Sequence, residues 1–147
     1  MKRRGAGGGA WADIQNVYRR SLDGLSWVPV WSAYTPLSIS GPSTASGHYS
    51  CVGTIQTCPT NAVAQAVLDG TIVVSGGSGA ISVIWSKVSG TNCVVNSANS
   101  ANTSFGVPVG RTGVPVTAVY RLSVSDGTSN AAALVNVTGV YDFGNIA

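Results

Sequence analysis

A chain of 147 residues with 9% charged side chains and a net charge of +3 has the length of one domain plus a small appendage, enough to bury roughly two thirds of its unfolded surface. Its vocabulary of Val, Ala, Ser, Thr, Gly and Asn, with five acidic residues that are all Asp and no Glu, argues against helices and predicts an all-β fold. No apolar run approaches the ~18 residues that span a bilayer, and Met1-Lys2-Arg3-Arg4 runs into Gly and Ala, so neither membrane insertion nor export is expected.

The charge is unevenly placed. Residues 1–36 hold Lys2, Arg3, Arg4, Arg19 and Arg20 against Asp13 and Asp23, whereas Lys87, Arg111 and Arg121 balance Asp69, Asp126 and Asp142 in the rest. A basic cluster can contact nucleic acid. Here it is short and interleaved with aromatics, which fits solvated strand positions or a protein-docking surface better, and no nucleic-acid partner is expected.

The same segment repeats itself. A shift of 16 residues places Arg3 and Arg4 on Arg19 and Arg20, Gly8 on Gly24, Trp11 on Trp27, Ile14 on Val30 and Tyr18 on Tyr34, giving two copies of an Arg-Arg, Gly turn, Trp, aliphatic, Tyr unit. Asp23-Gly24 between β-rich runs is a hairpin signal. The spacing of Trp11, Ile14 and Tyr18 also fits a helical stripe, but Pro29 and the Asp-Gly turn favour strands. Trp11, Tyr18, Trp27, Trp31 and Tyr34 are too many large aromatics for so short a segment to bury by itself. Together with Arg3, Arg4, Arg19 and Arg20 they are the residue types enriched at interface hot spots, and they are the candidate docking residues.

The stretch GGGAWADIQNVYRRSLDGLSWVPVW resembles the Gly-x-Trp…Tyr-x-Arg hairpin repeats of bacteriophage minor tail and tail-fibre proteins. The resemblance implies a structural protein of the virion tail, made in the host cytoplasm, with the hairpins docking onto other tail proteins or onto copies of themselves in a homo-oligomer such as a trimer. Residues 1–36 are then the docking segment, and 37–147 a β-sandwich whose first part, 37–60, is linker-like.

Residues 35–50 are rich in Ser, Thr, Gly and Pro, with a short alternating run at Leu37-Ser38-Ile39-Ser40 and a turn at Gly41-Pro42. His48, the one histidine, falls in this loop-like stretch with no carboxylate close in sequence and reads as a polar loop residue. Cys51, Cys58 and Cys93 lack metal or redox spacing. Without an export signal, free thiols are expected on assembly, with Cys51 and Cys58 the best pair for a later disulfide.

From residue 60 the strand signal strengthens. Thr71 to Ser75 is a compact apolar strand and Gly76-Gly77-Ser78-Gly79 turns the chain. The next strand carries Ile81, Val83 and Trp85 on one face. Asn92-Cys93-Val94-Val95 reads as a short strand, 96–102 as a polar loop, and Thr103, Phe105 and Val107 alternate along another strand before a turn region at Pro108 to Pro115. Ala118, Tyr120, Leu122 and Val124 alternate next. Asp126-Gly127 closes a hairpin, and Ala133, Val135 and Val137 line the last strand. Short strands at this spacing predict an antiparallel sandwich.

VSGGSGAISVIWSKVSG and VYRLSVSDG resemble bacterial and phage Ig-like domains. In that resemblance Trp85 is the anchor of the third strand and Tyr120 the corner tyrosine. Leu122 stands where the second cysteine would be, with Val73 or Val74 replacing the first. Trp85, Phe105, Tyr120 and Leu122 are therefore the expected structural core.

The chemistry scan yields no enzyme signal. Gly5-Ala6-Gly7-Gly8-Gly9-Ala10 fits a dinucleotide pattern by chance, since no strand precedes it. No phosphate loop, zinc-binding His pair or nucleophile elbow occurs, and Asp23, Asp69 and Asp126 each precede a glycine at a turn. Neither a metal nor a cofactor is expected. The sequons at Asn102 and Asn136 carry no consequence without secretion. The alternative to a tail structural protein is a receptor-binding or adhesin module that recognises a glycan or protein on the bacterial surface.

Overall fold

The computed structural model describes residues 34–145, with the backbone of 2–4, 11–13, 16–20 and 27–32. It divides into two compact units, Met1–Thr35 and Pro36–Ala147. Every regular element among the described residues is a strand.

The first unit holds two antiparallel pairs. Strands β1 (Lys2–Arg4) and β2 (Trp11–Asp13) pair with Arg4 opposite Trp11. Strands β3 (Asn16–Arg20) and β4 (Trp27–Ser32) pair with Arg20 opposite Trp27, and the register shifts between Val17 and Tyr18. Shifting the first pair by 16 residues reproduces the register of the second, so the sequence repeat is also a repeat of backbone pairing. The turns proposed at Gly5 to Ala10 and at Asp23-Gly24, and Ile14 of the repeat, lie outside the described residues.

The second unit is a sandwich. Its strands are β5 (Ser38–Ser40), β6 (Thr44–Gly53), β7 (Asn61–Leu68), β8 (Val73–Ser75), β9 (Ser82–Gly90), β10 (Val94–Val95), β11 (Ser104–Gly110), β12 (Val116–Ser125) and β13 (Asn130–Asn145). Seven of them run in the order β10-β11-β7-β6-β13-β12-β9, while β5 pairs with β8 apart from them. With β6 shared, this is the immunoglobulin order, A-B-E-D in one layer and G-F-C in the other. The layers close on each other: Phe105 of β11 lies 5.2 Å from the Tyr120 ring of β12 and 5.3 Å from Trp85 of β9, across the core.

Inward residues follow the period-2 rule. Ala118, Tyr120, Leu122 and Val124 of β12 and Val135 and Val137 of β13 are buried, as their alternation predicts. Four features differ from the sequence reading. The pairing of β6 with β13 is parallel, so the sandwich is not wholly antiparallel.

Residues 44–53, read as part of a linker-like loop, form a ten-residue strand. The inward positions of its first half are Ala45 and Gly47, too small to register as a hydrophobic face, and Tyr49 and Cys51 follow half-buried on the same side. A Cβ on Gly47 would stand 2.2 Å from the Gln65 carbonyl oxygen of β7, so the smallness is what lets the two strands approach.

Strand β7 was not anticipated either, because Ala64 and Ala66 point inward while Val63 and Val67 are exposed. It occupies the second-strand position, so neither Val73 nor Val74, both on β8, stands there. Finally, β11 continues through Pro108 to Gly110. Its outer neighbour β10 pairs only at Phe105 and Gly106, so at Pro108 the missing N–H faces an open edge and costs no ladder bond.

Candidate functional site

The four expected core residues come together around Phe105. Leu122 and Phe105 are fully buried, Leu122 sits opposite Trp85 in the ladder, and the Trp85 ring meets Phe105 edge to face at 87°. Trp85 itself is half-buried and donates its indole N–H to the Ser100 carbonyl at 2.8 Å. Tyr120 is not a corner residue. It lies within β12 and its hydroxyl accepts from Cys93 N (2.9 Å) and donates to Cys93 O (3.0 Å), clamping the segment that leads into β10. Burial raises both the Tyr120 phenol and the Cys93 thiol above their ordinary ranges, so both stay protonated and Cys93 is a poor nucleophile at neutral pH.

One end of the sandwich is cross-linked by a disulfide and by side chains from distant strands. Cys51 and Cys58 are joined in a disulfide, with Cα atoms 5.9 Å apart, while Cys93 is free. The pair singled out in the sequence as the best disulfide candidate is the one that closes the loop. Arg111 donates to the carbonyls of Ile55 (2.6 Å) and Cys58 (2.9 Å), and its guanidinium lies 5.6 Å from the Phe143 ring centroid. The Tyr141 hydroxyl donates to Pro59 O at 2.7 Å. Val52, Ile55 and Val114, which are 73%, 65% and 63% exposed, project at this end. Closing so short a loop stabilises by about 2 kcal/mol in the chain-entropy account. Reduction with dithiothreitol is expected to lower the melting temperature by several degrees without abolishing the strand signal in circular dichroism. Complete unfolding on reduction would show that Arg111 and Tyr141 do not hold the loop.

His48 lies on β6, not in a loop, and it has a carboxylate partner that sequence distance concealed: its Nδ1 is 2.8 Å from Asp142 on β13, both side chains being largely exposed. The parallel pairing brings them together. Asp69 accepts from the hydroxyls of Thr44 and Ser46, and Asp126 accepts from Ser78 N, Thr128 N and Ser129 N, shaping the Asp-Gly turn as expected. Asn102 brackets Ile72, accepting from its N–H and donating to its carbonyl. Among the described residues no group of three or more His, Cys, Asp or Glu is placed to hold a metal ion.

The docking candidates lie in the first unit. Arg3 and Arg4 are on β1, Trp11 on β2, Tyr18, Arg19 and Arg20 on β3, and Trp27 and Trp31 on β4, where the described backbone gives their register. Tyr34 is 38% exposed. In the backbone register Arg4 is opposite Trp11 and Arg20 opposite Trp27. Comparison with protein-family models, curated proteins and solved structures gave no match.

Proposed function

We propose that this protein is a structural component of a bacteriophage tail, at the tip or in a fibre, that attaches through residues 1–36 and projects the sandwich. The observation that carries the reading is the 16-residue repeat: sequence shift and strand register coincide, so an Arg-Trp cross-strand pair recurs. Two equivalent hairpins suit repeated sites on a partner or on further copies of the chain. Its partners are other tail proteins, in an assembly built from several copies, and its place is the virion. The test is the double variant Trp11→Ala/Trp27→Ala. The sandwich should melt unchanged, while the amount of the protein in purified particles falls on the order of tenfold. Wild-type incorporation would remove the hairpins from the interface.

A second reading, recognition of a bacterial surface, is favoured by the stapled end with its exposed Val52, Ile55 and Val114. A rigid apolar loop suits a protein surface. A sugar-stacking platform is less favoured, since Phe105 is buried and Tyr49 is half-buried at 5.1 Å from the Tyr141 ring.

A further inference from the structure

Among the described residues, the long edge of the sandwich is β9. It ends the strand order beyond β12, whereas the opposite edge, β10, has two residues. A nine-residue edge presents a row of backbone donors and acceptors to any strand that fits it. Three of its side chains are incompletely covered. Ile84 points outward and is 62% exposed, and Val83 and Trp85 pack on the core yet stay only half-buried.

We propose that β9 pairs with β9 of a second copy of the chain, antiparallel about a twofold axis at Ile84. That register opposes Ile84 to Ile84 of the partner subunit, Ser82 to Ser86 of the partner subunit, and Val83 to Trp85 of the partner subunit. Directly opposed residues share a face. The exposed isoleucines therefore cover each other on the outside, and an aromatic and a β-branched residue meet twice on the core side.

The neighbouring registers are worse. An axis at Trp85 would set Lys87 against Val83. An axis at Ser86 would draw into the ladder the irregularity of β9, which lies between Lys87 and Ser89 where Tyr120 and Val119 are opposed. The Ile84 register uses Ser82 to Ser86, a bulge-free stretch without charge. Lys87 stays outside it, donating to Asn92 Oδ1 (2.6 Å) and Gly90 O (3.3 Å).

Beside the axis, the outer face holds a shallow depression of about 380 Å³, lined by Ser82, Ile84, Ser123, Asn130 and Ala132 among others. Its small and aliphatic walls bring no like charges together. Antiparallel pairing about an axis is isologous and closes at two copies. The choice of a second copy rests on this self-complementarity. The contact lies wholly within the second unit and stands apart from the tail reading, whatever the hairpins bind.

The test uses the full chain with Cys93→Ser, carrying either Ile84→Cys or, as control, Val63→Cys, which is also exposed but lies on β7. A small interface of this kind binds weakly, so the chain is held at about 200 μM and treated with a short bismaleimide. Ile84→Cys should yield cross-linked dimer on the order of tenfold above the control. In an otherwise unaltered chain, Ile84→Lys should reduce self-association by a similar factor in sedimentation. Equal cross-linking of the two cysteine variants, or unchanged sedimentation of Ile84→Lys, overturns the pairing even if the hairpins assemble the chain in another way.

Discussion

Phe105→Ala is expected to destabilise the sandwich more than any other single aromatic truncation, by about 4 kcal/mol. Phe105 is fully buried and is the middle ring of three, touching Trp85 on one side and Tyr120 on the other. Removing it empties a site bounded by strands of both layers, and neither neighbour can collapse into the space without losing a hydrogen bond to a carbonyl, at Ser100 or at Cys93. Trp85→Ala takes away a larger side chain, but one that is half-buried at the edge, so about 3 kcal/mol is expected. For a unit of this size, 4 kcal/mol corresponds to about 15 °C in Tm. Thermal melts of the two variants check the order. A larger loss for Trp85→Ala would return the centre of the core to β9.

The parts of the fold that were legible in the sequence are those where large side chains alternate with polar ones. Ala118, Tyr120, Leu122 and Val124 announced β12, and Asp126-Gly127 its hairpin with β13. The parts that were not legible are built from small residues. Gly47 and Ala45 on β6, and Ala64 and Ala66 on β7, are buried, with no room for a Cβ at Gly47, and a pattern of small inward residues carries no hydrophobic signal. Missing β6 also hid the parallel pairing, and with it the contact of His48 with Asp142, 94 residues apart. The role of Tyr120 was half legible. Its burial follows from alternation, but the partner of its hydroxyl depends on where the 91–95 segment crosses.

Two expectations about cysteine differ in kind. The pairing of Cys51 with Cys58 was the favoured one on proximity, and the structure contains it. The expectation of free thiols came from the compartment in which the chain would be made, a consideration that geometry does not address. Arg111 and Tyr141, which hold the same loop, had no signal at all in the sequence, since each reaches it from a distant strand.

Deleting residues 1–36 is expected to have the largest functional effect. The second unit carries its own core, Leu37 and Ile72 included, and its first segment is tied down by the bond from Leu37 N to the Ser129 hydroxyl. The truncated chain should therefore fold, stay soluble and melt as the sandwich does in the full protein. What it loses is both hairpins, with every Arg-Trp pair assigned to docking. Quantitative mass spectrometry of purified phage particles, made with either the full or the truncated chain as the sole copy, is the most direct test. The tail reading predicts full-length protein in the particles and none of the truncated form above background. Equal incorporation of the two would contradict it.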